Sequence, residues 1–493
     1  MSCHGMLEKR PFSLEEINRV AEENRLLTME IEFSQRCNFR CPYCYQGDPE
    51  KRREMTVEES RDVILQAQKL GARRIIVLGG EPMIYPRIME QIRFIRDQGL
   101  DVEIFTNGSR ITEERALELA ALNVKVVLKM NTFDRDKQNA LCGRDDAYDI
   151  IHQAFAHLTS AGYGKGGKPM AVSSVITQDN VEELESLWCW LRERQIDPYL
   201  EMITPQGRAI ENDWLYSDVS QIEALFNRLA DIDRSRFGRD WNPQPPLVGD
   251  SCLRHKYSLC VNAFGDVLPC VGVTLVTGNI RQESLASIIR NSEVIQDLRH
   301  HRQHMKSLCG QCDKNESCYG CRGTAYQMTG DYMESDPLCW RFQDRKQEIC
   351  YLPVSTNTLI PHAPPMRIVD TLLEVGDRSA VVETEIKSDC PLLDEAGYLV
   401  ESAFIEIIAQ ASAASQGFRI RHKQATNRQG FLVGVKDIKI RGRARAGDRL
   451  VTVLRKEANL GDFGVISGRI SRGDECVAEG AVKVYDAVGK VNP

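Results

Sequence analysis

The chain has 493 residues, of which 42% are apolar and 27% charged, and its formal net charge is −7. At roughly 100 to 200 residues per domain this length predicts about three domains, and the composition excludes a disordered chain, a collagen and a coiled-coil rod. The small acidic excess gives no reason to expect nucleic acid or an anionic membrane as a partner. No apolar run approaches the roughly 20 residues that cross a bilayer, and residues 1–10 lack the apolar core of a secretory signal. We therefore expect a cytoplasmic protein.

The first predicted region, residues 1–245, alternates β-rich runs with longer amphipathic stretches. Ser13 and Glu16 have capping-box spacing and predict an N-terminal helix, and Thr56 precedes an amphipathic run over residues 57–70. Strand followed by helix, about six times over, predicts a parallel sheet with crossover helices, either a partial barrel or a doubly wound sheet. Ligand chemistry then gathers where the strands end. The predicted strands are residues 28–33, 74–79, 101–106, 125–130, 171–177 and 199–203.

The seventeen cysteines are the unusual feature of the composition. In a reducing compartment, clustered cysteines indicate metal or redox chemistry more often than disulfides. Cys37, Cys41 and Cys44 follow the first predicted strand with the spacing Cys-x3-Cys-x2-Cys. Three soft ligands without a local fourth suit a [4Fe–4S] cluster that keeps one iron open, whereas zinc favours four ligands. Cys142, Cys189 and Cys390 are interpreted as small buried side chains or incidental thiols.

This loop, with Tyr43 before its last cysteine, resembles the signature of the radical S-adenosylmethionine (SAM) enzymes. The resemblance implies that the open iron chelates SAM and that an electron from the cluster cleaves the sulfonium. The resulting 5′-deoxyadenosyl radical abstracts a hydrogen atom from the substrate. It also implies an electron donor such as flavodoxin or ferredoxin. Further SAM-binding positions implied at strand ends are Gly79, Gly80, Glu81, Pro82, Thr106, Asn107, Asn131 and Ser173. Lys129 and Ser174 lie near Asn131 and Ser173 in the sequence. The alternative for these four residues is that they are ordinary polar residues at strand ends.

The second predicted region, residues 246–352, follows a Pro-rich linker or extended crossing over residues 241–246. Its cysteine spacing resembles the SPASM extension of peptide-modifying radical SAM enzymes, although the last gap has two residues where the family commonly has three. The resemblance implies two auxiliary [4Fe–4S] clusters, and hence three in all. Two structural zinc sites are the alternative. The implied ligand sets are Cys252, Cys260, Cys270 and Cys321 for one cluster, and Cys309, Cys312, Cys318 and Cys339 for the other.

The third predicted region, residues 353–493, places β-rich segments around one apolar helix over residues 399–417. A helix that is apolar all round is buried, here most simply by a curved antiparallel sheet. His362 after Ile-Pro and Glu406 before Ala-Gln resemble the catalytic pair of the hotdog-fold β-hydroxyacyl-acyl carrier protein dehydratases. In that resemblance His362 acts as base on a 3-hydroxyacyl thioester, and Glu406 either donates to the leaving oxygen or holds the water. The alternative is a module without catalysis that dimerises the chain or docks a carrier protein.

The fold class expected is therefore α/β: a partial (β/α)6 barrel, a cysteine-rich SPASM extension, and a C-terminal α+β hotdog domain. The leading hypothesis is an enzyme that modifies a peptide, amino acid or carrier-bound substrate by C–H abstraction, fused to a domain that dehydrates a related acyl thioester. A competing hypothesis is that the cysteine-rich half only carries electrons. Since hotdog domains usually pair through their sheets, we also expect a homodimer.

Overall fold

The computed structural model describes residues 12–249, 252–349, 351–376, 378–421, 428–460 and 463–488. The chain forms two compact units. The first runs to Gln327 and includes Tyr332–Ile349, and the second comprises Met328–Asp331 with Cys350–Pro493. The predicted fold class is confirmed, because the first unit has a parallel sheet with helices and the second has a separate antiparallel sheet. The three-domain boundaries near residues 245 and 352 stay predictions.

Six parallel strands form the centre of the first unit, and strands that are consecutive in the chain are neighbours in the sheet. Each begins within two residues of its predicted start. Because every strand is followed by a crossover, the six carboxyl ends meet at one edge. The strands are β1 (Thr28–Glu32), β2 (Arg74–Leu78), β3 (Asp101–Thr106), β4 (Lys125–Lys129), β5 (Met170–Ile176) and β6 (Asp197–Met202).

Eight helices of this unit bury apolar faces against the sheet or beside it, and Val63, Ile92 and Trp188 belong to the shared core. The predicted helix starts are correct: Ser13 accepts from the Glu16 amide, and Thr56 and Glu59 form a complete capping box. The helices are α1 (Leu14–Glu22), α2 (Val57–Lys69), α3 (Ile88–Asp97), α4 (Glu113–Ala121), α5 (Arg135–Cys142), α6 (Ala147–Ser160), α7 (Leu184–Glu193) and α8 (Val219–Ile232).

The cysteine-rich segment borders both edges of the six-stranded sheet. A small meander of β7 (Cys260–Val261), β8 (Asp266–Leu268) and β9 (Gly278–Asn279) extends the sheet from β1, since β7 pairs with β1 in parallel. At the opposite edge the Pro-rich crossing runs along β6, where Met202 donates its amide to the Pro246 carbonyl over 3.1 Å. Short helices follow: α9 (Leu285–Asn291), α10 (Glu293–Arg299), α11 (His301–His304), α12 (Ser307–Gly310) and α13 (Arg322–Thr329).

The second unit wraps a seven-stranded antiparallel sheet around one helix, α14 (Glu401–Arg421), as the sequence predicts. Phe404, Ile407 and Ala411 of this helix are buried in the core of the unit. Among the described residues, the helices lack the combined length and hydropathy needed to traverse a bilayer. In sheet order the strands are β10 (Val354–Ser355), β11 (Thr371–Val375), β12 (Ser379–Glu385), β14 (Arg449–Leu460), β15 (Phe463–Arg472), β16 (Glu475–Val488) and β13 (Arg428–Ile440).

Candidate functional site

The three-cysteine loop lies between β1 and α2, at the edge where the parallel strands end. Its middle is fixed from across the sheet, because the Arg40 amide donates to the Cys142 carbonyl over 3.1 Å. Desolvation by its neighbours raises the pKa of the Cys37 thiol, although the residue is exposed at the surface. Iron bound at this position would stabilise the thiolate form.

The three thiols of this loop are the candidate ligands of the cluster that the family resemblance implies. Among the described residues, no three Cys, His, Asp or Glu side chains converge closely enough to hold one metal ion. A [4Fe–4S] cube places each thiolate on a different iron, so its ligands surround the cube instead of meeting at a point. Cys37, Cys41 and Cys44 are therefore the residues that could hold such a cluster, with its fourth iron open.

Gly79 and Gly80 place the end of β2 directly against the segment that leads into Cys37. The Gly80 amide donates to the Ser34 carbonyl over 3.0 Å, and the Glu81 amide donates to the Arg36 carbonyl over 2.8 Å. A Cβ atom on Gly80 would lie 2.0 Å from the Arg36 oxygen, so only glycine fits here. The two glycines thus position the cysteine loop. Their predicted contact with SAM stays a prediction.

Glu81 joins the end of β2 to the end of β3. Its carboxylate accepts from the Thr106 hydroxyl and the Asn107 amide, each over 2.6 Å, and from the Met83 amide over 2.9 Å. Burial raises the pKa of Glu81 to about 7, although these hydrogen bonds favour its charged form. Pro82 then opens a short 3-10 turn. Glu81 is accordingly placed to order the loop around Thr106 and Asn107.

Asn107 extends this arrangement to the cysteine loop itself. Its side-chain amide donates to Asn38 Oδ1 over 3.0 Å and lies 3.9 Å from Cys37 Sγ. The Asn38 oxygen also accepts from the Ser109 hydroxyl over 3.2 Å. The Thr-Asn-Gly segment predicted to bind SAM therefore contacts the residue that follows the first cysteine.

Asn131, just after β4, and Ser173, in the middle of β5 and not at its predicted end, lie on the other side of the loop. Asn131 is fully buried, and its amide donates to the Tyr43 hydroxyl over 3.0 Å. Ser173 accepts from Lys129 Nζ over 3.3 Å, and that ammonium lies 5.0 Å from the centre of the Tyr43 ring. Burial lowers the pKa of Lys129. The structure thus brings Tyr43, Asn131 and Ser173 together as one polar wall beside the cysteine loop.

Cys142, interpreted from sequence as a small buried or incidental thiol, is buried next to Cys41. The Cys41 thiol lies 3.6 Å from the Cys142 carbonyl, and Gln138 donates to Cys142 Sγ over 3.0 Å. The hydrogen bond between the two thiols is the main reason why the pKa of Cys142 is lowered. Nothing in the local sequence signals this contact, since the two cysteines are 101 positions apart.

The loop after β6 connects the two cysteine-rich parts of the unit. Gly207 packs against Cys44, so that a Cβ atom would lie 2.4 Å from the Cys44 carbonyl oxygen. Gln206 donates to the Val271 carbonyl over 2.8 Å and to the Tyr45 carbonyl over 3.4 Å. Each acceptor directly follows a predicted cluster ligand, so Gln206 spans the space between the two loops. Arg208, in the same loop, pairs with the Asp48 carboxylate over 2.8 Å.

The eight cysteines of the second region fall into two groups. Cys270 and Cys321 approach one another through Gly272 and Gly323, whose Cα atoms pack closely. Cys252 and Cys260 both interact electrostatically with Cys270. The other group borders a single cavity of about 460 Å³, also lined by Trp241 and Phe342. Both groups suit the predicted pair of clusters. The residues of the second group are Cys309, Cys312, Cys318 and Cys339.

In the second unit, Gln410 joins α14 to the segment that carries His362. Its amide donates to the Met366 carbonyl over 2.7 Å and to Glu406 over 2.8 Å, while its carbonyl oxygen accepts from the Ile368 amide over 3.0 Å. Nδ1 of His362 is buried without a hydrogen-bond partner within the described residues. The structure records no hydrogen bond between His362 and Glu406 there, so their joint action stays a prediction.

Three family models match separate parts of the chain. The radical SAM superfamily matches residues 31–187, the SPASM iron–sulfur cluster-binding domain matches residues 252–313, and the ApeP dehydratase matches residues 354–492. Each of the three resemblances inferred from sequence is therefore confirmed.

Curated relatives match between 63% and 67% of the chain. The AdoMet-dependent heme synthase of Methanosarcina barkeri is 25% identical over 342 residues, covering 64% of this chain and 96% of the relative. The PqqA peptide cyclase of Streptomyces rochei is 27% identical over 333 residues, covering 63% of this chain and 88% of the relative. The mycofactocin maturase MftC of Mycolicibacterium smegmatis is 24% identical over 345 residues, covering 67% and 86%.

Among solved structures, Streptococcus suis SuiB bound to its precursor peptide SuiA superposes with a TM-score of 0.52 at 18% identity, covering 64% of this chain and 76% of SuiB. This similarity shows the shared fold. Taken together, the matches identify an enzyme in which a radical SAM domain and a SPASM domain are fused to an ApeP-like dehydratase domain.

Proposed function

We propose that this radical SAM and SPASM fusion modifies a peptide by hydrogen abstraction from a C–H bond, with Cys37, Cys41 and Cys44 holding the SAM-binding [4Fe–4S] cluster. The observation that carries the proposal is the packing of Gly80 against the segment before Cys37, which fixes the cysteine loop at the carboxyl edge of the sheet. When bound, the cluster and SAM supply the 5′-deoxyadenosyl radical. The chain's own residues bind, orient and shield these groups.

The proposed SAM site lies between two walls of the loop. Thr106 and Asn107, ordered by Glu81, form one wall, and Tyr43, Asn131 and Ser173 form the other. Gly79, Gly80 and Pro82 complete the site as backbone contacts. These assignments rest on contacts with the cysteine loop and on the family resemblance.

Two auxiliary [4Fe–4S] clusters, three in all, are proposed for the second region. Cys252, Cys260, Cys270 and Cys321 form one ligand set. The other ligand set borders the cavity beside Trp241 and comprises Cys309, Cys312, Cys318 and Cys339. A small electron-transfer protein such as flavodoxin or ferredoxin is the proposed reductant.

A peptide is favoured among the three predicted substrate classes because two of the relatives are a peptide cyclase and a maturase, and a solved neighbour holds a precursor peptide. An amino acid and a carrier-bound acyl group are the alternatives. The sequence identity to a heme synthase is equally low, and this similarity favours neither an amino acid nor a carrier-bound acyl group.

Anaerobic incubation of the full-length protein with SAM and dithionite tests the cofactor chemistry. The parent is expected to form 5′-deoxyadenosine, and Cys37→Ala, Cys41→Ala and Cys44→Ala are each expected to abolish it. Cys189→Ala is the matched control, because Cys189 lies on the outer helix α7 beside Arg236. Iron-loaded parent protein that forms no 5′-deoxyadenosine would favour the hypothesis of electron transfer alone. Zinc in place of iron on metal analysis would contradict both.

For the second unit we propose dehydration of a 3-hydroxyacyl thioester, with Glu406 held by Gln410 and His362 on the adjoining segment. Glu406→Gln and His362→Ala are expected to abolish water elimination from 3-hydroxybutyryl thioesters, and Glu401→Gln, at the exposed start of α14, serves as control. A parent without activity would support the alternative, a docking or dimerising module.

The edge strand β13 supports a homodimer. It bears an exposed apolar run in which Phe431 and Val433 are each 52% exposed, and an open strand edge invites pairing. Val433→Lys is expected to convert a dimer into a monomer in sedimentation equilibrium. Leu117→Lys, on exposed α4, should leave the mass unchanged, whereas a monomeric parent would contradict the proposal.

A further inference from the structure

The face of the six-stranded sheet that points away from the helices, here called the concave side, keeps several partly exposed side chains. Along β6 the residues Asp197, Tyr199 and Glu201 are partly exposed and alternate with fully buried residues. The buried residues, such as Leu200, belong to the core shared with the helices, so the exposed set faces the concave side. The same reasoning places Glu30 of β1 on that side, since Met29 and Ile31 lie in the core.

At the end where the strands begin, the charges on the concave side are paired. Glu103 lies within 3.5 Å of Arg74 and 3.9 Å of Lys125, and Lys125 also approaches Asp197 at 3.8 Å. Each acidic group there has at least one basic partner. This layer therefore closes the base of the concave side.

Arg254, two residues after the predicted ligand Cys252, spans the open side between the edge strands β1 and β6. Its guanidinium donates to Glu30 Oε1 over 2.5 Å and to the Tyr199 hydroxyl over 3.3 Å. Glu30 is 2% exposed, and its second oxygen, Oε2, has no hydrogen-bond partner among the residues that the structure describes. A buried carboxylate oxygen left without a donor is costly unless a ligand supplies one.

Glu201 faces the same space from β6. Its carboxylate makes no hydrogen bond or ion pair in the part of the chain that the structure describes, although it interacts electrostatically with Glu30 and Lys129. Lys129 forms no ion pair with Glu201 within the described residues; its ammonium donates to Ser173 and lies over the ring of Tyr43. Nearer the cysteine loop, Glu30 is paired with Arg254 through one oxygen only, and Glu201 has no ion pair within the described residues.

We infer that Glu201 and Glu30 Oε2 form a recognition site for a cationic nitrogen of the substrate, an ammonium or a guanidinium group. The inference rests on the proposed peptide modification and specifies its substrate as one that carries a lysine, an arginine or a free amino terminus. Such a cation would donate to the free oxygen of Glu30 and to Glu201, and its charge would offset that of Glu201, since Arg254 already pairs with Glu30. Arg254 and Tyr199 position Glu30 for this contact.

Binding of small probes to the anaerobically reconstituted full-length protein tests the site. Saturation-transfer NMR with n-butylammonium is expected to give binding, whereas n-butanol and n-butyrate give none. Glu201→Gln is expected to weaken binding of n-butylammonium by about tenfold or more, the effect of one charge-assisted hydrogen bond. Glu185→Gln removes an exposed carboxylate on the outer helix α7 and should leave the affinity unchanged.

Equal binding of the three probes, or equal affinity of parent and Glu201→Gln, would overturn the inference. Glu30→Gln gives a second test. Because Glu201 makes no hydrogen bond or ion pair within the described residues, its variant keeps the test decisive even if Glu30→Gln folds poorly. The same preparations are assayed for 5′-deoxyadenosine from SAM. If no 5′-deoxyadenosine forms but the charge-selective binding of the probe is intact, the proposed function is contradicted and the cation site is not. If 5′-deoxyadenosine forms but the binding is not charge-selective, only the cation site is contradicted.

Discussion

The side-chain amide of Asn131 donates to the Tyr43 hydroxyl over 3.0 Å, while its Oδ1 accepts from the Val175 amide over 3.1 Å. Asn131 thereby fixes the aromatic residue of the cysteine loop to the ends of β4 and β5 at once. Since Asn131 is fully buried, neither bond can be replaced by water without rearrangement. The wall of the proposed SAM site depends on this one side chain.

Asn131→Ala is accordingly expected to weaken SAM binding by about tenfold, since removing a buried hydrogen-bond partner costs about 1–3 kcal/mol. Tyr43→Phe, which deletes only the hydroxyl, should give a smaller effect in the same direction. A titration of SAM followed by the change in the electron paramagnetic resonance spectrum of the reduced cluster measures both. Asn291→Ala, on the short helix α9, is the control. Unchanged affinity in Asn131→Ala would remove Asn131 from the site.

Gly80→Ala tests the packing that positions the cysteine loop. The added methyl group would lie 2.0 Å from the Arg36 carbonyl oxygen, so the backbone before Cys37 must move. We expect loss of about four iron atoms per chain, the content of one [4Fe–4S] cluster. Gly166→Ala is the matched control, because no atom lies within 4 Å of its added Cβ. Full iron loading of Gly80→Ala would show that the loop tolerates the displacement.

Glu81 makes stability depend on pH. Burial raises the pKa of Glu81 from 4.5 to about 7, so the folded protein binds the proton more tightly than the unfolded chain. Stability should therefore fall as pH rises from about 4.5 to about 7, by on the order of 3 kcal/mol at about 1.4 kcal/mol per pH unit. Glu81→Gln, which cannot titrate, is expected to flatten this dependence. Denaturant midpoints at pH 5 and pH 8 measure it, and an equal slope in parent and variant would contradict the assignment.

The sequence suffices for features that are local along the chain. A stretch of eight consecutive positions contains Cys37, Cys41 and Cys44, so their spacing alone predicts a cluster loop. The strands are equally readable, because buried parallel strands are short apolar runs bounded by turn residues. The apolar character of α14 likewise predicts the antiparallel sheet that surrounds it.

Features that depend on which strands are neighbours could not be read in this way. Cys142 meets Cys41 only because α5 returns to the carboxyl edge of the sheet. Arg254 reaches both Glu30 and Tyr199 because β1 and β6 border the open side, which sequence order does not reveal. The unpaired state of Glu201 is likewise a property of the assembled sheet. These long-range relationships define the proposed cation site.

Gly417→Ala tests the packing of α14 in the second unit. Alanine favours a helix over glycine by about 1 kcal/mol. Here, however, the added Cβ would lie 2.0 Å from the Leu359 carbonyl oxygen, and overpacking of this kind costs about 1–3 kcal/mol or more. The clash should prevail, so hydrogen exchange of α14 peptides is expected to accelerate in the full-length protein. Gly434→Ala, whose Cβ meets only the Lys483 side chain at 3.5 Å, is the control. A slower exchange in Gly417→Ala would contradict this account.

Paired substitutions test how the eight cysteines of the second region divide between two clusters. With three clusters the parent is expected to hold about twelve iron atoms, and loss of one ligand removes about four. Cys309→Ala combined with Cys339→Ala removes two thiols from the same cavity, so the double variant should retain about eight, as does each single variant.

Cys309→Ala combined with Cys270→Ala instead disables both groups and should retain about four. Iron and sulfide analysis of anaerobically reconstituted protein distinguishes these outcomes, with Cys189→Ala as control. Non-additivity arises only between thiols that share a cluster, because a cube that has lost one ligand has no further iron to lose. If the iron losses caused by Cys309→Ala and Cys339→Ala were additive, the cavity beside Trp241 would hold ligands of two different clusters, and the proposed division would be wrong.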